Sequence, residues 1–360
     1  MTSRRRIEAA LHHRAPDRTP MFEYVLLPPL ADRLLGRPLA THNWALWNSI
    51  VQDRGWQAAV RQSAVDQLEL ALRMGHDMMY VLPNPAPPAP PAKREPAPSA
   101  ALRDSDDPIE RLAMRNDRAA AVEPPGDETL LIYAMLKEEM CRRDVDLPIL
   151  APAYAHGVWT DTDLMMAMVL APEVAHRHFE LATDRTLALV EKYLALGLDQ
   201  IGVGGDFSGT RPLIAPEAYR KFIVPQVRRL SRCIHAAGRW SVNASDGNLW
   251  PVLVDFTAGC EVDGYLEIDM HAGMDLAALK AAVGARVTLY GNLDCGNTLS
   301  FASPEQVRAH TLACLEAGQG DGGHILCASN AIIESVPMAN YLAVINAYRD
   351  MFSLPRFQAE

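Results

Sequence analysis

The chain has no CxxC pair. Its six cysteines, Cys141, Cys233, Cys260, Cys295, Cys314 and Cys327, are scattered. With no secretory leader in front of them, they fit a reduced, cytoplasmic setting. No apolar run is long and charge-free enough to span a bilayer, so no membrane role is expected. Basic charge is also short, with 34 Lys and Arg against 44 Asp and Glu and a formal charge of -10. That balance lacks the basic footprint that nucleic-acid binding requires. The Arg4–Arg6 run is too short, and too close to Glu8, to act as a nucleic-acid arm. There is no early Gly-rich phosphate loop, no GxSxG elbow and no obvious Cys-His nucleophile pair.

What is present is ample material for a core: 360 residues, 49% of them apolar. That length suits two ordinary domains or one closed α/β barrel carrying insertions. Apolar runs read as strands recur at Thr19–Tyr24, Asp77–Leu82, Leu147–Ala151, Gln200–Gly205, the stretch after Gly238, Glu261–Leu266, Val287–Tyr290 and Gly322–Cys327. Between them lie helical patterns. Examples are Gln57–Met74, with Val60, Ala64, Leu68 and Leu72 at helical spacing, and Ser303–Ala317, with Ser303 as cap and Pro304 in the first turn. Pro216 opens a long helix in which Pro225 predicts a kink. Eight strands alternating with helices predict a single (β/α)8 TIM barrel over 1–360, with an N-terminal helical extension. The competing reading is an open doubly wound sheet plus a small domain. A Pro-rich insertion at about 83–127, running Pro83–Pro91 and on through Pro96 and Pro98, predicts an extended surface excursion, with a hairpin in 100–125.

In a barrel, ligands bind where the strands end. The stretch Gly238–Asn248 releases Asn243, Ser245 and Asp246 from a strand into a turn that Gly247 helps to form. Other strand ends supply Glu23, Tyr154, His156, Asp206, Glu267, Asn292, Asp294 and Asn330. Asp206, Asp246 and His156 are the candidate catalytic groups. Glu23, Tyr154, Asn243, Glu267, Asn292 and Asn330 are the candidate substrate contacts. Carboxylates sharing a dry mouth raise one another's proton affinity and so create a general acid. The alternative role for each is a cap or a tie between neighbouring loops, preferred for Glu23 and Asp294. His324 and Cys327 are three apart on a strand and should face opposite ways, so no metal site is expected from them.

The segment Arg4–Pro20 with its Ala-Pro-Asp-Arg-Thr-Pro ending, Asp206, Ala215–Tyr219, Ser245–Asn248, Gly291–Asp294, and Ser329–Asn330 with Pro337 and Asn340 together resemble the uroporphyrinogen decarboxylase-like barrels. That superfamily holds both uroporphyrinogen decarboxylases and corrinoid-linked methyltransferases. The decarboxylases resemble one another in an N-terminal Arg-Gln-Ala-Gly-Arg motif that pairs with a polycarboxylate. Met21–Pro29 here has no arginine, and burying a polyanion without one is costly. The zinc-dependent methyltransferases have a His-x-Cys pair after strand five and a Cys after strand eight. The matching positions here are Ala244, Asp246 and Asn330, so the resemblance implies no zinc and no tightly bound cofactor.

What the resemblance implies first is methyl transfer to or from a small or medium organic substrate, with Asp246 or His156 as acid and Asp206 orienting the substrate. A corrinoid would then come on a partner protein, because the chain has no Asp-x-His-x-x-Gly motif of its own. Decarboxylation is the second reading, and a catalytically inactive ligand-binding barrel the third. A homodimer is compatible with each of them.

Overall fold

The computed structural model describes residues 1–88, 105–121 and 126–358. Among the described residues, seven short strands form one parallel sheet in sequence order: β1 (Met79–Tyr80), β2 (Ile149–Pro152), β3 (Gln200–Gly204), β4 (Trp240–Ala244), β5 (Gly264–Leu266), β6 (Thr288–Tyr290) and β7 (His324–Ile325). Consecutive parallel neighbours require a crossover each time. The helices between the strands supply those crossovers, and the sheet curls into a TIM-like α/β array.

The expected first strand, Thr19–Tyr24, is reduced to a bridge. Met21 pairs in parallel with Leu326, and its carbonyl accepts the Asp77 N–H at 2.7 Å on the other side. Pro20 has no N–H to continue a ladder, which keeps this segment short. The expected hairpin in 100–125 is corrected where it is described: Pro108–Ala120 is a helix, capped by the Asp107 side chain on the Ile109 N–H. Of the Pro-rich tract, 83–88 runs without helix or strand, and 89–104 lies outside the described residues. The helix opened by Pro216 is interrupted as expected. A wide π-type turn at Tyr219–Ile223 precedes Val224–Ala236, because Pro225 cannot donate to the preceding turn.

Side-chain alternation sorts the strands into two faces. Val242, Ala244, Leu150, Leu266, Tyr290, Ile325 and Cys327 share an inner cluster with Phe22 and Met78. Ile7, Ala10 and Leu11 of the Ser3–Leu11 helix join it from one end. The residues one step off, such as Val203, Tyr265 and Leu289, belong to the larger cluster shared with the helices.

The Ala-Pro-Asp-Arg-Thr-Pro motif has a structural explanation. Asp17 pairs with Arg6, and Arg18 pairs with the buried Asp77, which Arg6 also reaches at 2.5 Å. Asp77 accepts in addition from the Met21 N–H, so one carboxylate anchors the bridge segment.

Candidate active site

β3 ends at Gly204, and the next residue, Gly205, sits at φ 138 with its Cα face against the backbone of Gly157. A Cβ there would lie 2.7 Å from the Gly157 nitrogen, so only glycine lets the β2 and β3 loops approach. The next residue, Asp206, accepts the Val158 and Trp159 N–H groups on its carbonyl. Its side chain is left for the neighbouring loop, and Oδ1 accepts the Asp246 N–H at 3.0 Å.

Asp246 follows β4 by two residues, and its Oδ2 accepts from the Asn330 amide at 2.9 Å. Glu267, directly after β5, has φ 70, an unusual left-handed conformation for a residue with a side chain. One carboxylate oxygen each from Asp206, Asp246 and Glu267 lie within 4.8 Å of one another.

Burial and mutual repulsion shape the protonation of this group. Burial, then the charges of Asp206 and Asp269, push Asp246 up to about 7, with the Asn330 bond acting in the opposite direction. Burial, then Asp246 and Asp206, push Glu267 up to about 8. Asp246 and Glu267 therefore titrate as a coupled pair that holds a proton near neutrality. Tyr24, Tyr154 and Trp159 line the same open cup of about 480 Å³, together with Asp206 and Glu267. No Lys or Arg lines it among the described residues.

The structure gathers five of the expected residues here: Asp206, Asp246, Glu267, Asn330 and Tyr154. It places four elsewhere. His156 is fully buried, with Nε2 at 2.9 Å from the Thr183 hydroxyl and its ring stacked on Phe179 in the helical layer. Burial depresses it to about 4, so it is a neutral packing residue and the expected acid role is corrected. Asn243 lies one step from inward-facing Ala244 and donates to the Phe256 carbonyl, on the helix side. Asn292 reaches the Met274 carbonyl and the Cys314 thiol.

Glu23 lies in a neighbouring cavity, accepting from the Ala328 N–H and the Tyr341 hydroxyl. Asp294 ties two loops, through His271 at 2.9 Å and the Thr298 N–H. Tyr24 and Trp159 were not expected in the cup. Tyr24 was legible as the residue after the bridge segment, whereas Trp159 sits in an irregular loop with no pattern to mark it.

Ala244, Asp246 and Asn330, the positions that the resemblance matched to zinc ligands, present a methyl, a carboxylate and an amide. Zinc of that kind does not fit this donor set. His324 faces the helical layer and bonds the Gly291 carbonyl, while Cys327 faces inward, so the two do not meet.

The family model described as uroporphyrinogen decarboxylase (URO-D) matches residues 148–351. A uroporphyrinogen decarboxylase from Cellvibrio japonicus is 28% identical over 50% of this chain and 49% of that protein. A methylated-thiol–coenzyme M methyltransferase from Methanosarcina mazei is 25% identical over 55% of this chain and 48% of its own length. The aligned part thus spans about half the length of these curated relatives. A solved methyltransferase from Methanosarcina mazei shares the fold, with a TM-score of 0.69 at 16% identity, covering 98% of this chain and 99% of that one. Among the described residues, no helix is long and apolar enough to cross a membrane.

Proposed function

This chain belongs to the uroporphyrinogen decarboxylase (URO-D) family, and within it we propose a methyl-group transferase that acts by general-acid catalysis from the Asp206–Asp246–Glu267 set. The observation that carries the reading is the crowding of those three carboxylates within 4.8 Å beside a cup whose lining, among the described residues, has no Lys or Arg. A proton kept near neutral pH is what an oxygen or nitrogen leaving group needs. In the balanced step, the methyl carbon leaves a substrate oxygen or nitrogen for an external nucleophile. The Asp246 or Glu267 proton passes to the departing atom, and solvent then restores it. Asp206, held by the Asp246 N–H, orients the substrate, and Asn330 fixes the Asp246 carboxyl.

A corrinoid on a partner protein would supply the methyl-accepting chemistry. What supports docking is that the exposed Trp159, Leu213, Trp250, Phe301 and Ile333 all lie in segments that follow strand ends. Decarboxylation of a tetrapyrrole polyanion is disfavoured by the acidic, arginine-free cup. The test is methylation of cob(I)alamin, followed by its absorbance, with a panel of neutral O-methyl and N-methyl compounds. Labelled carbon dioxide from uroporphyrinogen is measured in parallel. Methyl transfer that falls about 10²–10⁴-fold in Asp246→Asn is the expected result. Release of carbon dioxide without methyl transfer, or neither product across the panel, would overturn the reading.

A further inference from the structure

Tyr24 is a wall shared between the cup and a second cavity of about 230 Å³. This cavity is lined from β1 and from the helices Trp44–Arg54 and Trp56–Met74. Its walls are ring faces and aliphatic groups. Tyr24 and Tyr80 lie 4.4 Å apart between centroids, and Trp47, Leu70 and Met79 complete the apolar surface. No Lys, Arg or Asp lines it among the described residues.

The polar groups at its edge are mostly committed. Ser63 and Thr41 bond each other at 2.5 Å, and the Asn84 amide is spent on the Pro85 and Glu128 carbonyls and the Ile132 N–H. Glu23, the one acid there, is held by the Ala328 N–H and the Tyr341 hydroxyl. Among the described residues, His76 carries the one fully buried lining atom without a partner. It is 8% exposed, it lines the cavity, and its Nε2 has no hydrogen-bond partner. Burial keeps this imidazole neutral, its proton affinity lowered to about 3. A buried polar atom is normally satisfied, so an unpartnered one on a residue that lines an apolar space marks a place for a ligand's polar group.

Size narrows the class. A dry aliphatic cavity of about 150 Å³ accepts benzene, so about 230 Å³ suits one substituted ring, and a tetrapyrrole is far too large. Charge narrows it again, because an anion would lose its water without gaining a cation. We propose that this cavity binds a neutral, single-ring aromatic group bearing one hydrogen-bonding substituent, of the phenol or aniline class, with His76 Nε2 as that substituent's partner. The site is separate from the carboxylate set, and its occupancy does not depend on the reaction performed there.

The test is calorimetric titration of the full-length protein with phenol, toluene and benzoate, repeated on His76→Phe and on Ala71→Trp, which fills the cavity. Phenol should bind saturably at one site, with benzoate at least tenfold weaker. His76→Phe should retain toluene and weaken phenol about tenfold. Ala71→Trp should abolish both. Absence of saturable phenol binding, benzoate binding as tight as phenol, or undiminished phenol binding by His76→Phe would each overturn the proposal. If Ala71→Trp does not fold, the His76→Phe comparison decides alone.

Discussion

The backbone N–H of Asp246 donates to Oδ1 of Asp206 at 3.0 Å. Two strands' worth of loop are thereby joined at the point where their carboxylates converge, and the bond orders the pair. Asp206 receives a donor from the very residue whose side chain it repels, and the Asp246 carboxyl, buried and then crowded by that charge, keeps its proton.

Crowding of this sort should be visible in stability. Unfolded Asp and Glu titrate near 4, whereas folding lifts Asp246 to about 7 and Glu267 to about 8. The folded state therefore binds protons that the unfolded chain releases, and stability falls as pH rises from about 4 through 8. Each tenfold change in proton affinity is worth about 1.4 kcal/mol. Urea midpoints measured at about pH 5 and pH 8 should drop across this window in the wild type and drop less in Glu267→Gln. Below pH about 4 the trend reverses, since Glu139, held down to about 2 by Arg142, then loses its pairing. Equal pH slopes in wild type and variant would show that Glu267 is not in this environment.

Gly247 controls how closely the loops approach. It sits at φ 90, and a Cβ would lie 2.5 Å from the Ser208 carbonyl carbon. Gly247→Ala should cost about 1–3 kcal/mol from the backbone conformation, with further loss from the contact. Because the clash separates the β3 loop from the β4 loop, turnover per folded molecule should fall as well. Thermal melts and activity at matched folded fraction separate the two effects. Unchanged activity would mean that the Asp206–Asp246 approach is dispensable.

The strand rhythm was legible because apolar runs of four to six residues, separated by helical periods, leave few alternatives to a parallel α/β sheet. Asp206 and Asp246 were legible as acids directly after such runs. What failed was parity at the last residue. Asn243 sits one residue inside the end of β4, where a shift of one residue turns a side chain from the cup into the helices. His156 lies four residues beyond β2, in a loop where strand parity no longer holds. Asn243 neighbours inward-facing Ala244, and His156 met Thr183 rather than a ligand. The helix at Pro108–Ala120 was missed because the preceding prolines dominate the composition, although Asp107-Pro108 is an ordinary helix start. The cavity with His76 was invisible, since it depends on how the helices Trp44–Arg54 and Trp56–Met74 leave space beside β1.

Asp77 should be the most sensitive acid outside the cup. It is fully buried between Arg6 and Arg18 at 2.5 and 2.8 Å and holds the Met21 N–H. Removing one partner of a buried pair strands the others. Asp77→Ala should therefore destabilise by about 3–5 kcal/mol. A loss under 1 kcal/mol in denaturant titration would indicate that the arginines relax to solvent.

Asn330→Leu isolates the last part of the site. Its amide donates to Asp246 Oδ2 at 2.9 Å and is the one hydrogen bond opposing the burial and repulsion that raise Asp246. A bond to a carboxylate favours the ionised form, so deleting it moves the Asp246 titration further up. If Asp246 is the acid, the alkaline limb of the kcat–pH profile should shift to higher pH in Asn330→Leu, while its height falls because the carboxyl is less well oriented. Asn330→Asp should also raise that limb, by adding a fourth carboxylate to the set. Loss of activity with an unmoved limb would make Asn330 a loop tie only. A limb moved downward would mean that Asn330 stabilises the neutral acid, and the hydrogen-bond direction assigned between these two residues would then be reversed.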